Sequence, residues 1–185
     1  ADDIPAHATN ESMPESVTES AVANISAHSL RHSVCIVFPE IAESDKAVLA
    51  DYSLYLSRAG MTSASHALSA YKSENPFGSG VLVEYNGKKI VLTNLHVVGY
   101  AQTATIVFEL HNKTVRYTNC RVLSTDKQSD LAAIEIPAES EMIALPLYHG
   151  DISDDMAVVA AGFPGLANKP SWQLTRGFIS NAHLT

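Results

Sequence analysis

Two residues at the ends of strand-like runs carry the chemistry that this chain can offer. Thr93-Asn94-Leu95-His96-Val97-Val98 closes one apolar run and leaves His96 where it ends. Ser129-Asp130-Leu131-Ala132-Ala133-Ile134-Glu135-Ile136 opens another, with Asp130 at its mouth, 34 positions later. Histidine is the side chain that serves as a general base near neutral pH without heavy tuning. A buried carboxylate on its second ring nitrogen selects the tautomer and stabilises the imidazolium that forms. Together they are two members of a Ser-His-Asp arrangement for acyl transfer. The third is not legible: no Gly-x-Ser-Gly-Gly segment follows Asp130 up to Thr185. Asp126 is the competing carboxylate. Ser79, between two glycines, and Ser180, without glycine neighbours, read as strand positions rather than nucleophiles.

The remaining chemistry is sparse. His28 and His32 would stand one turn apart on a short helix, a spacing able to grip a metal, but no third ligand is legible. A solvated helix face is the plainer reading, and no metal is expected. Gly162-Phe163-Pro164-Gly165 lacks the spacing and the lysine of a phosphate loop and reads as a turn. Trp172 and the tyrosines read as core or as single exposed rings. Two cysteines, Cys35 and Cys120, permit one disulfide without demanding it.

The totals set the frame. With 185 residues, 46% of them hydrophobic and 17% charged, the chain can bury a core. A net charge of −8 with twelve scattered basic residues argues against nucleic acid as a partner. No apolar run approaches the roughly 20 residues that a helical membrane span needs.

These side chains need elements to hold them. Residues 1–32 read as a flexible polar arm followed by a short helix over 21–32. Ser33-Val34-Cys35-Ile36-Val37-Phe38 reads as a strand closed by Pro39. The period then becomes helical through Val48, Leu49, Tyr52, Tyr55 and Leu56, with Ser44 as the expected N-cap. This predicts a helix over 45–58 and a second near 64–72, inside an insertion of about 40–77. From Gly78 onward strand and turn alternate, with strands expected at 79–85, 89–95, 104–110, 114–124 and 131–136. Asn86-Gly87 marks a tight hairpin. Six short strands at this spacing suggest a small antiparallel barrel or sandwich over 33–137. Residues 138–155 read as a linker, and 156–164 and 171–180 as two further strands that begin another unit.

The motifs arrive in an order that resembles the trypsin-like serine proteases, most closely their HtrA/Deg-type bacterial branch. The resemblance rests on Gly78-Ser79-Gly80, Thr93-Asn94-Leu95-His96-Val97-Val98, Asp126 to Ala132, Gly162-Phe163-Pro164-Gly165 and Thr175-Arg176-Gly177-Phe178-Ile179-Ser180. It spans 33–185, interrupted by the insertion. What it implies is an all-β fold of two antiparallel barrels, the first complete and the second (156–185) only begun. It implies His96 as base, Asp130 as orienting carboxylate and a polypeptide substrate, with no cofactor. The serine and the oxyanion-hole amides would come from the second barrel, and so from a C-terminal remainder of the same protease. A periplasmic or secreted location follows from the resemblance alone. The alternative is a non-catalytic binding or interaction module on a protease-like scaffold.

Overall fold

The computed structural model describes residues 26–62, 65, 76–166 and 169–182. Its centre is a closed barrel of six antiparallel strands: β1 (Val34–Glu40), β2 (Gly78–Tyr85), β3 (Lys88–Asn94), β4 (Thr103–Glu109), β5 (Thr114–Asp126) and β6 (Leu131–Glu135). Around the barrel they run β1-β2-β3-β6-β5-β4. Closure leaves no long unpaired edge and encloses one apolar interior. Helix α1 (Ala27–Leu30) precedes β1, α2 (Glu43–Arg58) follows it, and the one-turn α3 (Leu95–Val98) follows β3.

Side-chain alternation sends one face of each strand inward. Cys35 and Val37, Leu82, Val91, Ala104, Ile106 and Phe108, Ala132 and Ile134 meet in this core and are all but fully buried. Both thiols are free and lie in the same interior. Burial pushes the Cys120 thiol up to about 11 and the Cys35 thiol well above its ordinary value. The Asn86-Gly87 hairpin forms with positive φ at both residues, 50° and 70°, as a type I′ turn requires.

Gly80 has no room for a side chain in the interior. A Cβ there would stand 2.7 Å from Val91 Cγ1 and 2.8 Å from Val37 Cγ2. Gly80→Ala is therefore expected to destabilise the barrel by about 1–3 kcal/mol through overpacking. Urea denaturation checks this, and an unchanged midpoint would show that the neighbours yield freely.

β1 is apolar on both faces through Val37, and Val107 of β4 lies beside it on the outer one. Val34, Ile36 and Val107 point away from the interior and pack with Phe163, Phe38, Phe77, Ala161 and Trp172 in a second cluster. Phe163 and Trp172 meet edge to face at 5.3 Å. Arg31 stacks over the indole at 4.5 Å while its Nη1 donates to the Glu109 carbonyl. This cluster joins the barrel to the next sheet, in which β7 (Ala157–Gly162) pairs antiparallel with β10 (Gln173–Phe178). Between them lies the small ribbon of β8 (Gly165–Leu166) and β9 (Lys169–Pro170). The fold is all-β, with one closed antiparallel barrel and the beginning of a second.

Three local expectations need correction. The strand does not stop at Pro39: β1 continues to Glu40, with Pro39 opposite Ala104. By that point β1 has left β2 and only β4 runs alongside, so the missing N–H breaks no second ladder. Ser44 is not the N-cap either. Helix α2 starts at Glu43 behind Ala42, without a side-chain cap, and Glu43 and Asp45 supply negative charge to its first turn. The third concerns α1: within 26–32, the described part of the helix expected over 21–32, only Ala27–Leu30 is helical. The arm over 1–25 and most of the helix expected near 64–72 lie outside the described residues.

The polar segment after Pro137 is tied to the barrel. Lys89 Nζ donates to the carbonyls of Ser140 (2.7 Å) and Met142 (2.9 Å), and Met142 is buried in the core. Leu145 adds a backbone hydrogen bond to Leu82.

Candidate active site

His96 sits on α3, the single turn that closes β3. Val98 is buried, and Leu95 and Val97 pack partly against the core. Three apolar anchors around one turn leave the fourth side chain pointing out. Gly78 lies beneath Val97, and any side chain there would collide with it. The turn is closed by Gly99, at a φ of 55°, whose N–H donates to the Leu95 carbonyl. Val97 needs the bare backbone of β2, and Gly99 supplies the positive-φ residue that ends the turn.

Asp130 arrives from the neighbouring strand. The β3–β6 ladder places Asn94 opposite Leu131, so the turn before β6 lies beside the end of β3. Asp130 takes a positive φ of 50°, a conformation that Asp and Asn tolerate better than most residues. Its carbonyl accepts from Leu95 N at 3.0 Å. Its carboxylate faces His96: Oδ1 accepts from the His96 backbone N–H at 2.9 Å, and Oδ2 lies 2.6 Å from Nδ1. Asn94 Nδ2 reaches both the Asp130 carbonyl (3.2 Å) and Oδ2 (3.3 Å).

The electrostatics follow from these donors. The hydrogen bond from the His96 ring, then that from its amide, hold the Asp130 carboxyl below the usual carboxylate range. An ionised Oδ2 at 2.6 Å favours the proton on Nδ1 and leaves Nε2 as the acceptor. In this state an imidazole can take a proton from an incoming hydroxyl. The sequence reading expects a buried carboxylate, but the pair is open, with side chains 70% (His96) and 46% (Asp130) exposed. The aspartate stands at the rim of the barrel, beside the end of β3 and α3.

The other candidates separate cleanly. Asp126 accepts from the Gln128 backbone N–H at 2.9 Å. The Ser129 hydroxyl, followed by that amide, lowers the Asp126 carboxyl, so it organises the turn that presents Asp130. Ser79 Oγ accepts from Phe163 N at 2.8 Å and its carbonyl accepts from Thr93 Oγ1 at 2.8 Å, tying the histidine strand to the second sheet. Ser180 lies beyond β10, which ends at Phe178, and is not on a strand as its sequence suggests. His28 and His32 lie with ring centroids 5.7 Å apart, and His111 is 6.4 Å from His28. Even so, among the described residues no three ligands form a group able to hold a metal.

Sequence reasoning missed one participant. Asn94 stood inside the quoted motif without a role, because its partner is 36 residues away and only the β3–β6 register brings the two together.

A family model described as a trypsin-like peptidase domain matches residues 78–184. Among solved structures, the serine endoprotease from Yersinia pestis is similar with a TM-score of 0.50 and 20% identity, over 83% of this chain and 43% of that one. A variant of the HtrA-type protease AlgW with a tripeptide is similar with a TM-score of 0.50 and 19% identity, over 85% of this chain and 40% of that one. At such identity the likeness is one of fold. The chain spans about two fifths of the length of these structures. No curated protein matches it. The family match covers more than half of the 185 residues and includes the ends of β3 and β6 that carry His96 and Asp130, so the chain belongs to the trypsin-like peptidase domain family.

Proposed function

We propose that this chain is the His- and Asp-bearing part of a serine endopeptidase. One observation carries the reading: Oδ2 of Asp130 lies 2.6 Å from Nδ1 of His96 while Oδ1 holds the His96 amide. On this reading the nucleophilic serine and the oxyanion-hole amides are supplied from outside these residues, by a further segment or a second polypeptide of the same protease.

The reaction then runs through His96. Nε2 takes the hydroxyl proton of the serine as its oxygen bonds to the scissile carbonyl carbon. Asp130 stabilises the imidazolium, and the same proton passes to the leaving amine as the C–N bond breaks. Water, deprotonated by the same nitrogen, then adds to the acyl carbon, and the proton passes to the serine oxygen as the ester C–O bond breaks. Among the described residues no helix is long and apolar enough to cross a membrane. The periplasmic or secreted location that accompanies this reading rests on the resemblance alone.

A serine-directed fluorophosphonate tests the split. This chain alone is expected to remain unlabelled, and a polypeptide carrying the serine is expected to react only when bound to it. Labelling of this chain alone would place the nucleophile within it and end the two-part reading. A second reading, a binding module on the protease scaffold, is favoured by α2. That helix presents Val48, Tyr52 and Tyr55 to solvent at i, i+4 and i+7, with 67%, 51% and 64% exposure. Specific partner binding without any gain of probe labelling would support it.

A further inference from the structure

Asparagine is a favoured residue at a helix N-cap, where its side-chain oxygen satisfies an early amide of the helix. Asn94 occupies that position before α3 and makes no side-chain cap hydrogen bond. Its amide is turned across to the turn before β6 instead, where Nδ2 meets the carbonyl and Oδ2 of one residue, Asp130, at 3.2 and 3.3 Å. The local role open to this side chain is given up for a contact 36 residues away.

That contact falls where orientation is hardest to keep. An exposed ion pair gains little in water and loses side-chain entropy when it is held in one geometry. The His96 N–H fixes Oδ1, but a carboxylate held at one oxygen can still swing about that bond. Asn94 closes a second loop by bridging the backbone carbonyl and the other oxygen. With the carbonyl already held by Leu95 N at 3.0 Å, this aims Oδ2 at Nδ1 of His96. Chemistry restricts the choice at position 94. An aspartate would set its own oxygens against two acceptors, and an alanine would supply no donor.

We infer that Asn94 is a positioning residue that orients the Asp130 carboxylate and thereby holds His96 in its Nδ1–H tautomer. The inference deepens the proposed peptidase function and rests on it for its catalytic meaning. The orientation itself is a property of this chain and can be read without any hydrolysis.

Ring-nitrogen NMR on the uniformly 15N-labelled 185-residue chain reads the tautomer of His96 directly. Asn94→Ala and Asp130→Asn are compared with the parent protein. In Asn94→Ala the Nδ1–H share of His96 is expected to fall toward the ratio of a free histidine, and the Asp130 titration is expected to move upward. Asp130→Asn should alter the same ring signals at least as much. If Asp130→Asn moves them and Asn94→Ala does not, the inference is overturned and the His96–Asp130 pair survives. If neither moves them, the pair is not coupled, and both this inference and the peptidase reading fail. A helix-capping role would lower stability without changing the ring tautomer. Should Asn94→Ala not fold, the parent chain still decides. The Nδ2 protons of Asn94 are expected to shift as Asp130 protonates in acid, and a flat response through that titration would overturn the inference.

Discussion

Replacing His96 by alanine in the assembled protease is expected to reduce peptide hydrolysis by about 10⁴-fold or more. On the proposed function, the substitution removes the group that takes the serine proton and later passes it to the leaving amine, so both half-reactions lose their acid–base catalyst. The thermal midpoint should hardly change, because the imidazole is 70% exposed and α3 is anchored by Leu95, Val97 and Val98. Groups that act as one unit are not additive. The double replacement His96→Ala with Asp130→Asn should therefore be no slower than His96→Ala alone. Steady-state assays beside a thermal melt check both statements. A His96→Ala enzyme with full activity would remove the histidine from the mechanism, and one that no longer folds would make the loss uninformative.

The largest stability effect is expected from Phe108→Ala. Phe108 is fully buried at the inward face of β4, with Tyr117 edge to face at 6.3 Å. Tyr117 in turn shares a hydrogen bond of 2.9 Å with Ser140, so the ring supports both the barrel wall and the segment that follows β6. Truncating a buried phenylalanine costs about 3–5 kcal/mol in lost transfer energy and cavity. Single domains are stable by only about 5–15 kcal/mol, so the variant should melt on the order of 10 °C lower or fail to accumulate. Phe178, 62% exposed on β10, provides the control: Phe178→Ala should stay within about 0.5 kcal/mol of the parent. Equal effects at the two positions would contradict the assignment of the core.

What made the barrel legible was a series of short strands at regular spacing, separated by turn signals. The burial alternation of β2 and β3, the positive-φ pair Asn86-Gly87 and the turn before Asp130 are all encoded within a few residues of where they act. Misreadings occurred where a local rule met a non-local fact. Pro39 would end a strand flanked on both sides, but β1 has only β4 beside it there. Ser44 is a good cap residue, but α2 begins one residue before it. The continuous apolar run Val34-Cys35-Ile36-Val37 hints at burial on both faces, but nothing in it says that Phe163 and Trp172 cover the outer one.

The candidate site divides along the same line. Sequence by itself determined that a histidine and an aspartate stand at the two strand ends and that glycines flank Ser79, because residue type and short-range spacing are local properties. Tertiary structure alone decided that β3 pairs with β6, which sets Oδ2 of Asp130 2.6 Å from the His96 ring and brings Asn94 within reach of the same carboxylate. It also decided that the pair lies open at the rim of the barrel. The physical reason is closure. Which strand lies beside β3, and in what register, follows from all six strands completing one ring around a shared core, and no window of the chain contains that condition.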